Sequence, residues 1–341
     1  MTTHIEPTSV HKILFINLAY IGDVILSTPL VRALKKHYPS ATIDMLITPS
    51  TAEVASGNPY VNQLIVYDKR GKHRNMGEWW KLVRQLRKQH YDLAITTNFS
   101  LRSPAMAWAS GARWRVGFDA QHAGLFLTHM ASAQRPVIKH EIENQMDVLA
   151  PLGIVDKDTS MEYKIDPTDI KNMHRKIKAQ SAKPIVVICP FGRHALKSWT
   201  REGYSGVIKR IAPLAECYLI GGKAEIQQLE ELNTAAGGVA HILAGTLTLG
   251  ELAALLQQAK LLITVDTGPM HIGQAVGIST VALFGPTDDR VWGPRGEYDV
   301  IVKAKVECMP CYLTQDCVSN RCMQEIAVQD VIQSSLIILG K

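Results

Sequence analysis

Leu261-Leu262-Ile263-Thr264-Val265-Asp266-Thr267-Gly268-Pro269-Met270-His271 is the stretch on which the reading of this chain turns. Its first five residues are apolar or β-branched and do not alternate, the pattern of a strand buried on both faces in a parallel sheet. An acid, a hydroxyl and a glycine follow where that strand stops, and Met270 to Val276 has the pattern of a helix. A helix N-terminus carries N–H groups without intrahelical acceptors and the positive end of a dipole, so it favours an anion. In open α/β sheets the ligand lies beyond the carboxyl ends of the strands. The stretch therefore predicts half of a site for a phosphorylated ligand that also offers hydroxyls.

The same strand–turn–helix unit recurs outward from it. Lys12 to Leu18, Thr42 to Ile47, Gln63 to Tyr67, Asp92 to Thr96 and Val116 to Phe118 read as strands. Val24 to His37, Gly77 to His90 and Glu141 to Leu152 read as helices. Asp156 to Lys183 is polar and punctuated by Pro167 and Pro184, which suggests a linker and a charged helix. Alternation then resumes with strands at Ile185 to Cys189, Cys217 to Ile220, Leu261 to Val265 and Thr280 to Phe284, and helices between them. This predicts an α/β chain of two doubly wound domains with a cleft between them. The expected division is 1–170, 171–325, and a C-terminal helix 326–341 free to pack back on the first domain.

The 341 residues suffice for two cores. A net charge of +6 is compatible with an acidic partner without requiring one. No run approaches the ~20 apolar residues of a membrane span, and Met1 to His11 lacks the apolar core of a secretory signal. A cytoplasmic protein is expected. Cys308, Cys311, Cys317 and Cys322 fall within fifteen positions. They are candidates for a structural zinc, although the spacing is not a pair of standard knuckles and a metal-free loop explains it equally well.

Three further stretches invite chemistry. Ile21-Gly22-Asp23 opens a helix after the first strand. Gly22 permits a tight turn or close approach to a ligand. Asp23 is either a helix cap or a carboxylate facing the cleft. Gly192 and Arg193 follow the strand Ile185 to Cys189, where glycine and neighbouring amides could cradle an anion, and Lys197 adds a full charge. Glu225 follows Gly221-Gly222 and suits either ribose hydroxyls or the first turn of a helix. Lys69, Arg70, Lys72 and Arg74 form a basic run before a helix. The run is a solvated face or a dock for an anionic acceptor or headgroups. Without interleaved aromatics it does not suit nucleic acid.

Taken together, Ile21-Gly22-Asp23-Val24-Ile25-Leu26-Ser27-Thr28-Pro29, Lys197-Ser198-Trp199, Asp266 to His271 and Phe284-Gly285-Pro286-Thr287-Asp288 resemble the lipopolysaccharide heptosyltransferases of glycosyltransferase family 9. Gly111-Ala112-Arg113 and Arg115-Val116-Gly117-Phe118 also look like that family. The resemblance implies a GT-B fold, with the nucleotide sugar on the second Rossmann-like domain and the acceptor on the first. It implies inverting transfer of heptose from ADP-heptose to the lipopolysaccharide core at a transient membrane contact on the inner face of the inner membrane, with no required cofactor. Asp23 matches the base. Lys197 and the amides of Thr267, Gly268 and Pro269 match the diphosphate-binding positions, Glu225 the ribose-binding acid, and Asp266 and His271 positions near the donor sugar and phosphates. Arg113 joins the basic run on the acceptor side. Arg193, Ser198 and Thr200 depart from the residues the family often has there. A GT-B epimerase or hydrolase, or a non-catalytic nucleotide-sugar binder, would use the same cradle.

Overall fold

The computed structural model describes residues 5–177, 182–313, 317 and 319–341. Residues 178–181, at the end of the stretch read as a linker, and 314–316 and 318, within the cysteine-bearing region, lie outside the described residues. The chain divides into Met1–Lys164 and Ile165–Lys341.

The first unit is built on β1 (Lys12–Asn17), β2 (Thr42–Ile47), β3 (Gln63–Val66), β4 (Leu93–Thr96), β5 (Trp114–Phe118) and β6 (His129–Ala131). Their spatial order is β3-β2-β1-β4-β5-β6, every pair parallel. The second unit repeats the plan with β7 (Ile185–Cys189), β8 (Glu216–Leu219), β9 (His241–Ile242), β10 (Leu261–Val265), β11 (Thr280–Phe284) and β12 (Val300–Lys303). Its order is β12-β11-β10-β7-β8-β9, again all parallel. Both are the doubly wound order in which strand succession reverses once, between β1 and β4 in one unit and between β7 and β10 in the other. A crevice opens at the carboxyl ends on either side of that reversal. Strands β4 and β10 are buried throughout, and β1 at every residue but its first, Lys12, as their apolar runs require.

Three features differ from the sequence reading. The helix expected over Val24 to His37 begins earlier and is two helices, Ile21–Leu26 and Thr28–His37. Pro29 has no N–H to continue the ladder. The hydroxyls of Ser27 and Thr28 donate instead to the carbonyls of Val24 and Ile25 at 2.7 and 2.8 Å. The division falls after Lys164 rather than residue 170, because the helix Pro167–Lys176 packs on the helix Leu249–Gln258. Gly250 leaves the space there that the Asp169 carboxylate fills. The last helix, Val328–Leu339, falls within the second unit rather than standing as a segment of its own. It lies on the helix Arg201–Ile211 and against β10, β11 and β12, with Val331 fully buried.

Candidate active site

The carboxyl edge of the second sheet collects the residues of the opening stretch and its neighbours. Lys197 ends a short 3-10 turn, Ala195–Lys197, after β7, and Asp266 follows β10. The two loops therefore flank the strand reversal. Lys197 Nζ donates to Asp266 Oδ2 at 2.7 Å. The Asp266 side chain is 8% exposed and that of Lys197 20%. A Cβ at residue 192 would touch the Asp266 carbonyl oxygen and the Lys197 Cβ, so the three residues occupy one spot. Arg193 is exposed at its rim.

His271 Nε2 lies 3.9 Å from the other carboxylate oxygen of Asp266. Burial, the largest influence, lowers the affinity of His271 for a proton, and Lys197 acts in the same direction, while Asp266 and Gln274 oppose them. The imidazole is therefore neutral near pH 7. The helix Gly268–Val276 presents its N-terminus to this spot, capped by no side chain. Of the three amides expected to face a diphosphate, one does not exist, because Pro269 has no N–H. Thr267 and Gly268 supply the N–H groups of that turn.

Trp199 holds the lysine loop down. Its ring is 5% exposed and packs edge-on to Tyr204 at 5.0 Å. Any Cβ at residue 203 would collide with that ring, which is why glycine stands there. Glu225 closes a turn after β8. Its Oε2 accepts the Gly222 N–H at 2.6 Å, and Gly221 is bare where a Cβ would strike the carboxylate. The first-turn role is thus realised. The charge also reaches the end of β7: the Cys189 thiol, pushed up to about 12 chiefly by burial, is raised further by Glu225.

Asp288, in the Phe-Gly-Pro-Thr-Asp run, is a lock. It is 2% exposed and accepts both Nε and Nη2 of Arg290, at 2.9 and 2.7 Å, and the Tyr312 hydroxyl at 2.9 Å. Arg290 first, then Tyr312, bring its carboxyl down to about 2 against the opposing effect of burial. Cys308, Cys311 and Cys317 are each close enough to Cys322 to act on its thiol. Cys322 is raised to about 11, by burial first and then by Cys308, Cys311 and Cys317. Yet among the described residues no three His, Cys, Asp or Glu side chains converge as metal ligands. The spacing left a structural zinc and a metal-free loop both open, and zinc is not shown.

In the first unit Asp23 is the third residue of the helix Ile21–Leu26, and its Oδ2 accepts the Tyr20 N–H at 3.2 Å. Its carbonyl is gripped by Asn17 Nδ2 at 3.2 Å and Gln145 Nε2 at 3.4 Å. Asn98, after β4, accepts the Leu18 N–H at 2.8 Å and donates to Asn17 at 3.4 Å. The two loops flanking this sheet's reversal are therefore tied together beneath Asp23. Gly22 is helical, so close approach rather than a left-handed turn is what it permits.

The basic run leaves β3 at the same carboxyl edge. Asp68 folds it by accepting the N–H groups of Gly71 and Lys72 at 2.8 and 3.0 Å. Lys69 has its affinity for a proton lowered by burial first, then by Arg102 and Arg70, and raised somewhat by Tyr20. Lys69, Arg70, Arg102 and Tyr20 thus share one neighbourhood. Arg102 escaped the sequence reading, and its only signal was a cation at a helix start beyond a buried strand. Lys72 is drawn to Glu78 at 3.7 Å, and Arg74 is exposed. Arg113 is not brought to this edge. It precedes β5, which runs parallel to its neighbours, so it sits at the amino edge, stacked over Trp114 at 4.4 Å.

A sequence profile of glycosyltransferase family 9 (heptosyltransferase) matches residues 79–321. The lipopolysaccharide heptosyltransferase 3 of Escherichia coli K12 is 32% identical, over 81% of this chain and 83% of its own. The chain belongs to glycosyltransferase family 9. It is therefore a glycosyltransferase. A family 9 structure from Veillonella parvula superposes with a TM-score of 0.86 at 23% identity, covering 99% of this chain and 98% of that one. The E. coli ADP-heptose lipopolysaccharide heptosyltransferase II does so at 0.82 and 21%, over 96% and 98%. The two six-stranded parallel sheets are thus the α/β pair of the GT-B fold. Among the described residues no helix is long and apolar enough to cross a membrane.

Proposed function

We propose that this family 9 glycosyltransferase moves a heptose from ADP-heptose to the anionic inner core of lipopolysaccharide, with inversion. The observation that carries the reading is Lys197, Asp266 and His271 joined at the reversal of the second sheet, in a chain 32% identical to a lipopolysaccharide heptosyltransferase 3. The donor diphosphate lies over the N–H groups of Thr267 and Gly268 and shares Lys197 with Asp266. Glu225 takes ribose hydroxyls with the oxygen that Gly222 does not occupy. Asp266 and His271 face the sugar.

Asp23 accepts the proton of the acceptor hydroxyl as that oxygen attacks the anomeric carbon. The bond from that carbon to the diphosphate breaks on the opposite face, and Lys197 balances the charge that gathers on departing ADP, without calling on a metal. Lys69, Arg70 and Arg102 hold the acceptor's anionic groups, with Lys72 and Arg74 extending the cationic loop. Met76 and Trp80 are exposed just beyond that loop, which suits a transient contact with an anionic membrane surface. The enzyme then works in the cytoplasm at the inner face of the inner membrane. Zinc has no part in this reading.

Purified protein incubated with ADP-heptose and a heptose-deficient core acceptor tests it. The expected result is one heptose added per acceptor and one ADP released. Equal ADP release without acceptor would make the protein a hydrolase. A thermal-unfolding panel of ADP-, UDP- and GDP-sugars adds a check on the base, since ligand at 100 times Kd stabilises by about 2.7 kcal/mol. Protection by UDP-sugars alone would remove the ADP donor.

A further inference from the structure

Gln274 belongs to none of the motifs. It lies on the helix Gly268–Val276, one turn beyond His271. Its Oε1 is 3.4 Å from His271 Nδ1, and its Nε2 is buried with no hydrogen-bond partner. On the far side of the imidazole, His271 Nε2 stands 3.9 Å from Asp266 Oδ1. The ring is 4% exposed, with Trp292 edge-on at 6.4 Å.

With the amide oxygen toward Nδ1, the neutral ring must carry its proton on Nδ1. The Nε2 lone pair then faces a carboxylate oxygen, acceptor against acceptor. The buried amide N–H pair is also left unpaired, which is unfavourable because its contacts with water are lost and not replaced. The two ends of a glutamine amide are nearly indistinguishable in shape and are assigned from their hydrogen bonds. A half turn of the amide resolves the conflict. Gln274 Nε2 then donates to Nδ1, the ring proton sits on Nε2, and it faces the carboxylate. The group without a partner becomes a carbonyl oxygen, which is tolerated more often than an orphaned N–H. A doubly protonated ring would also suit Asp266, but the balance of burial, Lys197, Asp266 and Gln274 holds His271 below its ordinary value. Asp266 and Lys197 are the charged groups that act on the ring; Gln274 and Trp292 are neutral.

We infer that Gln274 is a positioning residue: its amide N–H, donated to His271 Nδ1, holds the neutral imidazole with its proton on Nε2, directed at Asp266. That this proton serves the bond between donor sugar and diphosphate rests on the function proposed above. The tautomer itself does not.

The test uses full-length protein labelled with 15N-histidine, without ligand, near pH 7.5. The His271 signals are assigned by their loss in His271→Gln. The expected native spectrum has a protonated Nε2 and an unprotonated Nδ1. Gln274→Glu puts a carboxylate opposite Nδ1, so His271 should become an imidazolium that persists to higher pH. The acidic limb of the kcat profile should move up with it. Gln274→Leu should mix the two tautomers and lower kcat about tenfold, the worth of one hydrogen bond, with donor KM changed less than about threefold. A native ring protonated on Nδ1, or a Gln274→Glu variant whose His271 titrates as in the native protein, overturns the inference. If Gln274→Leu fails to fold, the native spectrum and the isosteric Gln274→Glu still decide. ADP that leaves the His271 signals unmoved counts against the donor site, while an Nε2-protonated ring in the same sample still supports the positioning role.

Discussion

Lys197 Nζ and Asp266 Oδ2 lie 2.7 Å apart, joining the loop after β7 to the loop after β10 across the point where strand order reverses. The lysine proposed for the leaving diphosphate is therefore already paired with a carboxylate. A bound diphosphate must share that cation, and without it the carboxylate would repel the phosphates. The pair sets the donor site's charge before any donor arrives.

This gives a non-additive expectation. Lys197→Ala should weaken ADP binding about 10- to 100-fold, the range of a charge-assisted hydrogen bond, and leave Asp266 uncompensated. Lys197→Ala combined with Asp266→Asn should recover part of the loss, because the repelling charge is gone. Calorimetric titration of ADP into both variants and the native protein measures it. A double variant that binds ADP more weakly than Lys197→Ala would show that Asp266 attracts the donor more than it opposes it.

Asp23 holds two positions at once, cap and proposed base, and one substitution separates them. Asn at residue 23 can still accept the Tyr20 N–H that Oδ2 accepts at 3.2 Å, so Tm should hardly change. Turnover should fall about 10²- to 10⁴-fold, the usual range for a lost general base, with ADP affinity intact. Native turnover in Asp23→Asn would leave only the cap.

The strands of both sheet centres were legible because burial on two faces demands uninterrupted apolar runs: Thr42–Ile47, Ile185–Cys189, Leu261–Val265 and Thr280–Phe284 stand where the sequence places them. Strands β6, β9 and β12 were not read. Two are only two or three residues long, and all three close their sheets at an edge, where one neighbour suffices and periodicity is weak. The site was legible wherever a glycine or an acid follows a central strand. Arg102 and Gln274 were hidden because their meaning depends on partners distant in space or one helical turn away, and the place of Arg113 was hidden because a motif does not say which edge of a sheet it occupies.

The grouping of Lys69 with Arg70 and Arg102 narrows the acceptor test. Arg70→Glu and Arg102→Glu should each raise acceptor KM and leave donor KM nearly unchanged. The native acceptor KM should climb with salt, since the screening length falls to ~3 Å at 1 M, and the double variant should respond far less. Arg113→Glu, at the opposite edge, should behave as the native protein does. Steady-state kinetics over an ionic-strength series reads all three. An effect of Arg113→Glu as large as that of Arg102→Glu would place the acceptor elsewhere.

Asp288 ties Arg290 and Tyr312 to the end of β11, and its carboxyl is depressed to about 2, with Arg290 the leading cause. The sign follows from linkage: a group whose folded value lies below its unfolded value of about 3.9 adds stability above that value and loses it as pH falls toward the folded one. Native protein should therefore lose stability to urea between about pH 4 and pH 2 by an increment that Asp288→Asn lacks, because an amide has no proton to gain. At pH 7 the variant should be less stable, since the Arg290 guanidinium keeps only a neutral partner. Tyr312→Phe should retain most of the native pH dependence, because Arg290 is the larger cause. Parallel urea melts of the three proteins from pH 7 downward compare the slopes. Indistinguishable native and Asp288→Asn curves over that window would mean that the Arg290 pair does not persist in solution.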